Sequence, residues 1–454
     1  MVRSSRSLKI FALLFSVVIS VLVALQMRPI QDDYLSFGSI ESVGILGYLK
    51  NIWAFHGGNM VQFTIHSIMS IPSSTQPFFL NLAAYFLLTQ LMVAAASRLL
   101  FTWVFEDRHL KPNVAFWLPF LVVFGFEGFF VPGFVGAYGF TLASLAHLWP
   151  ILCLIFALRL LMSESAFRFL VIPLGLVAGN SNLVESAFSC LVITFVILGI
   201  IKYPSKAKSL GFRRSVWLYV FCLVTYISSL TIAIAPGFKN RSSGAIGLPE
   251  NLYDFILRFS KSFAIFSADV LTHPFVYLSI FGGFWIARTC SLICDGLLLT
   301  KLKILSFFSI SFWLLLILGS SMAYPAWHQS MGLYVFVIPT ALTFGIFLSL
   351  KFPSVSISYS YKFVMVLNLV IAIALFARVI ETSITRKSSW DRSFAINVCL
   401  LNQDPAAKLE GAEIIYPPFN LGVEDVNSWE WIRNDYSKWV LNPRFDTQVS
   451  CKTD

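Results

Sequence analysis

Long apolar stretches alternate with short polar ones along most of the chain. Apolar runs of roughly 17–25 residues, the length of a helix that crosses a bilayer, recur from the N-terminus almost to residue 380. We therefore expect an all-α polytopic membrane protein, a bundle of about 10–12 transmembrane helices. The predicted crossings are 10–26, 77–98, 114–131, 139–162, 167–180, 185–201, 215–235, 263–287, 304–322, 331–350 and 363–380.

Two segments between the first and second crossings interrupt this pattern. Residues 40–56 predict an interfacial helix, because their apolar positions fall on one face and Lys50 on the other, before Gly57-Gly58-Asn59. Residues 60–71 are apolar but short for a crossing, and they contain Gln62 and His66. The second segment therefore predicts a re-entrant or tilted half-helix; if it crosses the membrane fully instead, another short pair of segments must be regrouped to preserve the charge bias.

The composition changes after residue 380. Residues 1–380 are predicted to form the membrane domain, with a first outer loop over 27–59, and residues 381–454 a small extracytoplasmic α/β-like tail. Within the tail we expect a strand over 413–416 and a helix over 427–440. The tail holds only two cysteines, Cys399 and Cys451, and an oxidising compartment would allow them to pair; two free thiols are equally consistent with the sequence.

Charge gives the orientation. The chain is 57% hydrophobic and 12% charged, which excludes an ordinary soluble domain, and its net charge of +10 is divided by topology. A cytoplasmic N-terminus, on an uncleaved first segment, puts 18 of the 25 cations in residues 1–380 on the inside. The excess of Lys and Arg is thus explained by the membrane, and we expect no nucleic-acid partner.

Polar interruptions of the apolar pattern collect on the predicted outer face. They are 57–59, 131–138, 178–186, 235–242 and 322–330, whereas the cytoplasmic loops are short, basic and free of a phosphate-binding Gly-rich pattern. This distribution argues against a nucleotide-driven machine. It favours an enzyme or binder that acts on a lipid-linked substrate in the outer leaflet.

Adjacent carboxylates follow the first crossing in a chain short of acids. Asp32 and Asp33 need compensation at a membrane boundary, through catalysis, metal binding or a basic partner, or they cap the next helix. A lipid phosphate needs cations, and four of the seven outer cations follow the Ala-Pro-Gly turn at 235–237. These four are Lys239, Arg241, Arg258 and Lys261, which would otherwise be interfacial side chains that reach toward headgroups.

The order of these motifs resembles a known family. An acid pair ending in Tyr34, an interfacial helix with a Gly-Gly end, Gly136-x-Tyr138, Ala178-Gly-(x)5-Glu185 and Ala235-Pro-Gly-(x)3-Arg241 are similar to bacterial multi-spanning proteins related to GT-C glycosyltransferases. The resemblance covers roughly residues 8–330. It implies a polyprenyl-phosphate sugar donor, an essential Asp in the first outer loop and a GT-C-like bundle. Asn59 departs from the pattern, since relatives often carry Arg there.

The residues suit an inverting sugar transfer. A base must deprotonate the acceptor hydroxyl and a cation must stabilise the departing phosphate, roles that we assign to Asp33, oriented by Asp32, and to Arg241. On an extended segment only one of the two aspartates would face the acceptor. Candidate substrate contacts are Tyr34, Tyr138, Asn182, Glu185 and His328, although Glu185 in a helix cap and His328 in an ordinary loop are equally consistent.

Other polar residues give weaker indications of function. His66 and His147 lie in apolar stretches and are interpreted as core histidines, and no His, Asp and Glu residues have convincing metal-ligand spacing, so a divalent cation is allowed but not required. We thus expect a glycosyltransferase of the bacterial inner membrane whose acceptor is a cell-envelope glycan or glycolipid, such as lipopolysaccharide or another surface polysaccharide. The alternatives are a glycan transporter or flippase and an O-antigen-type polymerase or ligase.

Overall fold

The computed structural model describes residues 32–70, 78–109, 145–237, 248–272, 274–290, 296–322, 331–352, 361–411, 413–416 and 420–423, with scattered residues between 14 and 25. In these ranges the chain is almost entirely helical. The helices are α1 (Asp32–Asn51), α2 (Met60–Ser70), α3 (Phe78–His109), α4 (Trp149–Met162), α5 (Val171–Gly179), α6 (Leu183–Lys202), α7 (Pro204–Ser209), α8 (Val216–Ile234), α9 (Leu252–Thr272), α10 (Pro274–Cys290), α11 (Gly296–Met322), α12 (Met331–Lys351) and α13 (Tyr361–Gln403).

Four helices in the described part of the chain are long and apolar enough to cross a membrane. They are Leu80–Val104 within α3, together with α6, α8 and α11. Three shorter apolar helical stretches accompany them: Trp149–Met162, Ala166–Gly179 and Phe336–Lys351. The predicted crossing at 114–131 and most of the one at 10–26 lie outside the described residues, so the expected total of about 10–12 crossings stays a prediction.

The predicted single crossing at 263–287 is wrong. Two helices occupy this region, because α9 ends at Thr272 and α10 begins at Pro274. Proline has no backbone N–H, and it disfavours helical backbone at the residue before it, so it is tolerated at the first turn of a helix but not within one. The apolar pattern alone did not reveal this break.

The first outer segment is helical from Asp32, eight residues earlier than predicted from the apolar face at 40–56. Gly44 breaks α1 with a φ of 68°, a conformation that favours glycine, and the chain ends this segment with a π-helical turn over Ile52–His56. Tyr48 and Ile52 pack against Phe63 of α2. The outer segment is therefore joined to α2 by its own small core.

Helix α2 has the length expected of a half-helix. Its 11 residues rise about 16 Å, roughly half of the hydrocarbon thickness of a bilayer. Its polar side chains Gln62, His66 and Ser67 are all buried. The polar interruptions of this segment therefore face the protein.

An aromatic cluster forms the centre of the bundle. The ring of Phe188 in α6 stacks on Phe312 at 4.6 Å between centroids and meets Phe336 of α12 edge-on at 5.3 Å. Each of these three side chains is almost fully buried. Because aromatic pairs add to the free energy gained from burial alone, this cluster holds α6, α11 and α12 together.

Helices α10 and α12 cross with their backbones in contact at two glycines. A Cβ atom added at Gly283 would meet the carbonyl oxygen of Leu342, and one added at Gly345 would meet the carbonyl oxygen of Ile280. Small residues permit this close approach of the two backbones, as they do between packed helices of membrane proteins.

We expect Gly283→Ala to destabilise the protein and the neighbouring Gly282→Ala to leave it unchanged or slightly stabilised. Alanine favours a helix by about 0.5–1 kcal/mol over glycine, but at position 283 overpacking against the facing backbone costs about 1–3 kcal/mol. A Cβ at Gly282 meets nothing within 4 Å, so it is the matched control. Equal melting temperatures of the two variants in detergent would contradict the close crossing.

The C-terminal part begins without a break. Helix α13 runs from Tyr361 to Gln403, through position 380 where the apolar pattern ends, and a two-stranded antiparallel hairpin follows. Its first strand, Glu413–Tyr416, confirms the predicted strand, while the predicted helix at 427–440 lies outside the described residues. Asn397 anchors the returning chain by accepting from the N–H of Glu410 and donating to its carbonyl.

Cys399 forms a disulfide. Among the cysteines whose side chains are described, Cys153, Cys190 and Cys222 are free thiols. The partner of Cys399 therefore lies outside this set, which leaves the predicted pairing with Cys451 as a prediction.

Mutation of the tail cysteines tests the pairing. Closing a loop of about 50 residues contributes roughly 2–4 kcal/mol, so Cys399→Ser and Cys451→Ser should destabilise the tail equally. Each variant should also expose one new thiol to a maleimide mass tag without reduction. If Cys399→Ser instead exposes a thiol other than Cys451, the predicted partner is wrong.

Candidate functional site

The predicted catalytic pair opens a helix. Asp32, Asp33 and Tyr34 are the first residues of α1, and their side chains lie outside the described part of the structure. The expectation of an extended segment is therefore wrong, because the backbone is helical from Asp32. Carboxylates in a first helical turn interact favourably with the helix dipole, which is a structural role available to both.

The predicted phosphate-binding cations divide into two groups. Lys239 and Arg241 lie outside the described residues, whereas Arg258 and Lys261 lie one turn apart on α9. Arg258 binds Asp254 with two nitrogens, at 3.0 Å from Nε to Oδ1 and 2.9 Å from Nη2 to Oδ2. The hydrogen bond from Arg258 lowers the pKa of the Asp254 carboxyl. A phosphate at Arg258 would have to compete with this carboxylate.

The predicted substrate contacts also divide. Tyr138 and His328 lie outside the described residues. Asn182 caps α6, because its Oδ1 accepts from the backbone N–H of Val184 at 3.2 Å. Glu185 lies in the first turn of the same helix and is completely buried.

Glu185 pairs with His147, whose burial confirms the prediction of a core histidine. Its Oε1 lies 2.8 Å from the Nδ1 atom of His147, and the two side chains are 0% and 7% exposed. The other carboxylate oxygen, Oε2, has no hydrogen-bond partner among the described residues. A buried ionisable pair inside an apolar bundle is costly, and such pairs are usually kept for function.

Helix ends surround this pair. His147 directly precedes Leu148, the N-cap of α4, and Glu185 belongs to the first turn of α6. His147 ends the helical residues 145–147, so the pair joins the end of one helical segment to the first turn of α6. Next to His147, the Trp149 ring stacks on Tyr85 at 5.5 Å, and its Nε1 donates to Thr89 Oγ1 at 3.0 Å.

Asn180 joins two of the polar segments that are predicted to lie on one face, 57–59 and 178–186. Its Oδ1 accepts from the backbone N–H of Val61 at 2.8 Å, and its Nδ2 lies 2.8 Å from the carbonyl oxygen of Gly58. The same Nδ2 lies 3.0 Å from the Ser228 carbonyl oxygen and 2.5 Å from Thr231 Oγ1, so its two hydrogens are shared among three acceptors. One buried carboxamide thus connects the first outer loop to α5 and to the end of α8. We call Asn180 and these four partners the Asn180 junction.

Glycines allow this close packing. A Cβ at Gly58 would collide with the backbone of Thr231 and Ile232, and one at Gly179 would collide with the backbone of Thr225. Ser186 Oγ donates to the carbonyl oxygen of Gly179 at 2.8 Å and thereby links the junction to the turn that carries Glu185. Gly58 of the Gly-Gly motif and Gly179 of the Ala-Gly motif therefore both allow close packing against α8 at the Asn180 junction.

This arrangement has definite chemical abilities. A buried carboxylate with one oxygen on imidazole can hold or exchange a proton, and its second oxygen can accept a hydrogen bond from a hydroxyl. Within the described residues no cluster of three or more His, Cys, Asp or Glu side chains could hold a metal ion.

The sequence did not predict the contacts of His147 and Asn180. The spacing Asn180-x-Asn182-x-x-Glu185 placed amides beside the carboxylate, but no local pattern connects position 147 with 185 or position 180 with 58. Both contacts depend on tertiary packing of elements far apart in the chain.

Comparison with known proteins gives no match: no family model, curated protein or solved structure is similar to this chain.

We expect Asn180→Ala to destabilise the protein more than Asn182→Ala. Loss of the Asn180 carboxamide leaves buried backbone groups without partners and should cost about 2–4 kcal/mol. Loss of the helix cap at Asn182 should cost about 1 kcal/mol. Melting temperatures in one detergent compare the two, and an equal or smaller effect at Asn180 would contradict the junction.

Proposed function

We propose that the chain is a polytopic membrane protein with a GT-C-like helical bundle, an N-terminus in the cytoplasm and an extracytoplasmic tail. Four helices of sufficient length and apolarity support the membrane location. The excess of cations on alternate loops supports the orientation. The bacterial inner membrane follows from the resemblance to GT-C-related proteins.

We further propose that it transfers a sugar from a polyprenyl-phosphate donor to a cell-envelope glycan or glycolipid at the outer face. The Asn180 junction is the observation that carries this proposal, because it ties together two of the five polar segments assigned to that face, 57–59 and 178–186, and joins them to Ser228 and Thr231 near the end of α8, which precedes segment 235–242. The first outer loop, which contains the aspartate pair, ends at this contact, and α8 leads from it along the chain to the loop that contains Lys239 and Arg241.

The proposed reaction is a single displacement with inversion. Asp33 takes the proton of the acceptor hydroxyl, whose oxygen forms a bond to the anomeric carbon of the donor sugar. The bond from that carbon to the phosphate oxygen breaks, and polyprenyl phosphate leaves with the bonding electron pair. Arg241, assisted by Lys239, stabilises the negative charge that develops on the phosphate. Asp32 orients its neighbour.

The buried pair suits a positioning role in this reaction. Glu185 can accept a hydrogen bond from a sugar hydroxyl through Oε2, while His147 holds the opposite oxygen at 2.8 Å. Arg258 and Lys261 follow on α9 as additional cations for the donor, although the ion pair to Asp254 makes Arg258 the weaker candidate. Tyr34, Tyr138 and His328 remain proposed sugar contacts.

We expect Asp33→Asn to reduce sugar transfer by about 10²–10⁴-fold, because a general base contributes about that much to the rate. The assay uses purified protein, a polyprenyl-phosphate sugar and cell-envelope acceptor glycolipid, with product detected by mass spectrometry. Glu164→Gln is the matched control, since Glu164 is exposed and pairs only with the exposed Arg213 among described residues. If Asp32→Asn and Asp33→Asn both keep wild-type turnover, the pair only caps α1.

A second arm tests the phosphate site. Arg241→Ala should lower both donor affinity and turnover, and Arg241→Lys should restore only part because the planar donor fork is lost. Arg213→Ala removes an exposed cation elsewhere and should have no effect. Full activity of Arg241→Ala would remove this residue from the mechanism.

One observation favours a second candidate, a proton-coupled transporter of lipid-linked glycans. The pair of His147 and Glu185 is a buried titratable group between helices, which is typical of proton relays in transporters. Under this alternative Glu185→Gln abolishes glycolipid movement in proteoliposomes while wild-type protein shows no sugar transfer. Transfer by wild-type protein, with milder loss in Glu185→Gln, supports the glycosyltransferase.

A further inference from the structure

A cavity of about 330 Å³ lies at the end of the bundle away from the pair of His147 and Glu185. Side chains of α3, α4, α6, α11 and α12, and of the turn around α7, form its wall. Most of them are Leu, Ile, Val, Phe and Met. The volume is within the usual range for small-molecule sites, and such a wall suits a hydrocarbon chain.

A few polar side chains lie among these apolar ones, and each of them is either basic or carries a hydroxyl group. Arg159 and Lys206 supply cations, and Tyr203 and Thr300 supply hydroxyl groups. Among the described lining residues none carries a carboxylate. The polar part of the cavity is therefore complementary to an anion that is attached to an apolar chain.

The short helix α7 carries one of these cations across the end of the bundle. Within α7, Ala207 is buried, whereas Lys206 and Lys208 are exposed. The Nζ atom of Lys206 lies 5.7 Å from the ring centroid of Tyr203. Trp103 fixes the following turn, because its Nε1 donates to the carbonyl oxygen of Leu210 at 3.2 Å. Lysine, tyrosine and tryptophan are the side chains typical of a membrane interface.

We propose that this cavity binds an anionic phospholipid of the cytoplasmic leaflet, with an acyl chain inside and its phosphate held by Arg159 and Lys206. The charge distribution puts this end of the bundle on the cytoplasmic side, where anionic lipids are attracted to basic pockets between helices. The proposed sugar donor is used at the opposite face. The lipid site therefore rests on the proposed orientation of the bundle, but it is separate from the proposed reaction and does not depend on it.

Native mass spectrometry of the purified full-length protein tests the headgroup contact, with phosphatidylglycerol and phosphatidylcholine of identical chains as probes. Wild-type protein should prefer phosphatidylglycerol. Arg159→Gln and Lys206→Gln should each weaken its binding about fivefold and together about thirtyfold, because each cation near a membrane surface contributes to that extent. Lys208→Gln is the matched control on the same helix, since Lys208 is not among the described lining residues.

A steric variant tests the cavity itself. Gly199 lines it, and a Cβ there meets nothing within 4 Å, so Gly199→Leu should fill space without disturbing the fold. Excluding about two methylene groups of the acyl chain should weaken binding of both lipids about tenfold. Gly282→Leu, at an equally open position outside the described lining, should leave binding unchanged.

Several outcomes would overturn the proposal. They are equal binding of the two lipids by wild-type protein, equal losses in Lys206→Gln and Lys208→Gln, wild-type binding by Gly199→Leu, and preferential occupation by polyprenyl phosphate. Size-exclusion profiles and melting temperatures identify any variant that fails to fold. If a cation variant fails to fold, the comparison of the two lipids with wild-type protein and the binding by Gly199→Leu test the proposal.

Discussion

The first backbone N–H groups of helix α2 need partners inside the protein, and the Asn180 carboxamide supplies one of them. Helix α2 begins inside the protein at Met60, so its first N–H groups have no intrahelical acceptor. Asn180 accepts from the N–H of Val61 and donates to the carbonyl oxygen of Gly58, and thereby caps this end from another helix. An unsatisfied group in an apolar environment costs several kcal/mol, so the position of the whole outer segment depends on this contact.

The consequences extend to both sides of the junction. Gly58 must remain a glycine because the backbone of α8 occupies the space of its Cβ. On the other side, Asn182 and Ser186 fix the first turn of α6, which directs Glu185 toward His147 rather than toward its own backbone. Asn182, and not Glu185, caps α6 with its side chain, while the sugar contact of Glu185 stays a prediction. Its carboxylate lies in the first turn but bonds to an imidazole from a different helix.

Sequence patterns predicted what depends on local or periodic information. The apolar runs at 185–201, 215–235 and 331–350 match α6, α8 and α12 closely, and the strand over 413–416 is present. Sequence patterns gave a wrong prediction where a single proline, Pro274, interrupts an apolar run. They gave no prediction where the polar partner comes from a distant element, as for His147. The pattern of apolar positions indicates which residues are buried, but it does not identify which buried polar groups contact each other.

The two ends of the bundle differ in a way that bears on both proposals. At the end that holds the Asn180 junction, polar groups are buried and mutually bonded, which suits a substrate that must be positioned for chemistry. At the end that holds the cavity, Lys206 is exposed beside apolar side chains, which suits a lipid that exchanges with the surrounding leaflet. Phe188 lies between them, since it is one turn from Glu185 on α6 and packs on Phe312 and Phe336, and Phe336 also lines the cavity. An anionic lipid in the cavity would therefore bind against the same aromatic cluster that supports the turn carrying Glu185, so its binding energy would add to the stability of the helices that hold the buried pair.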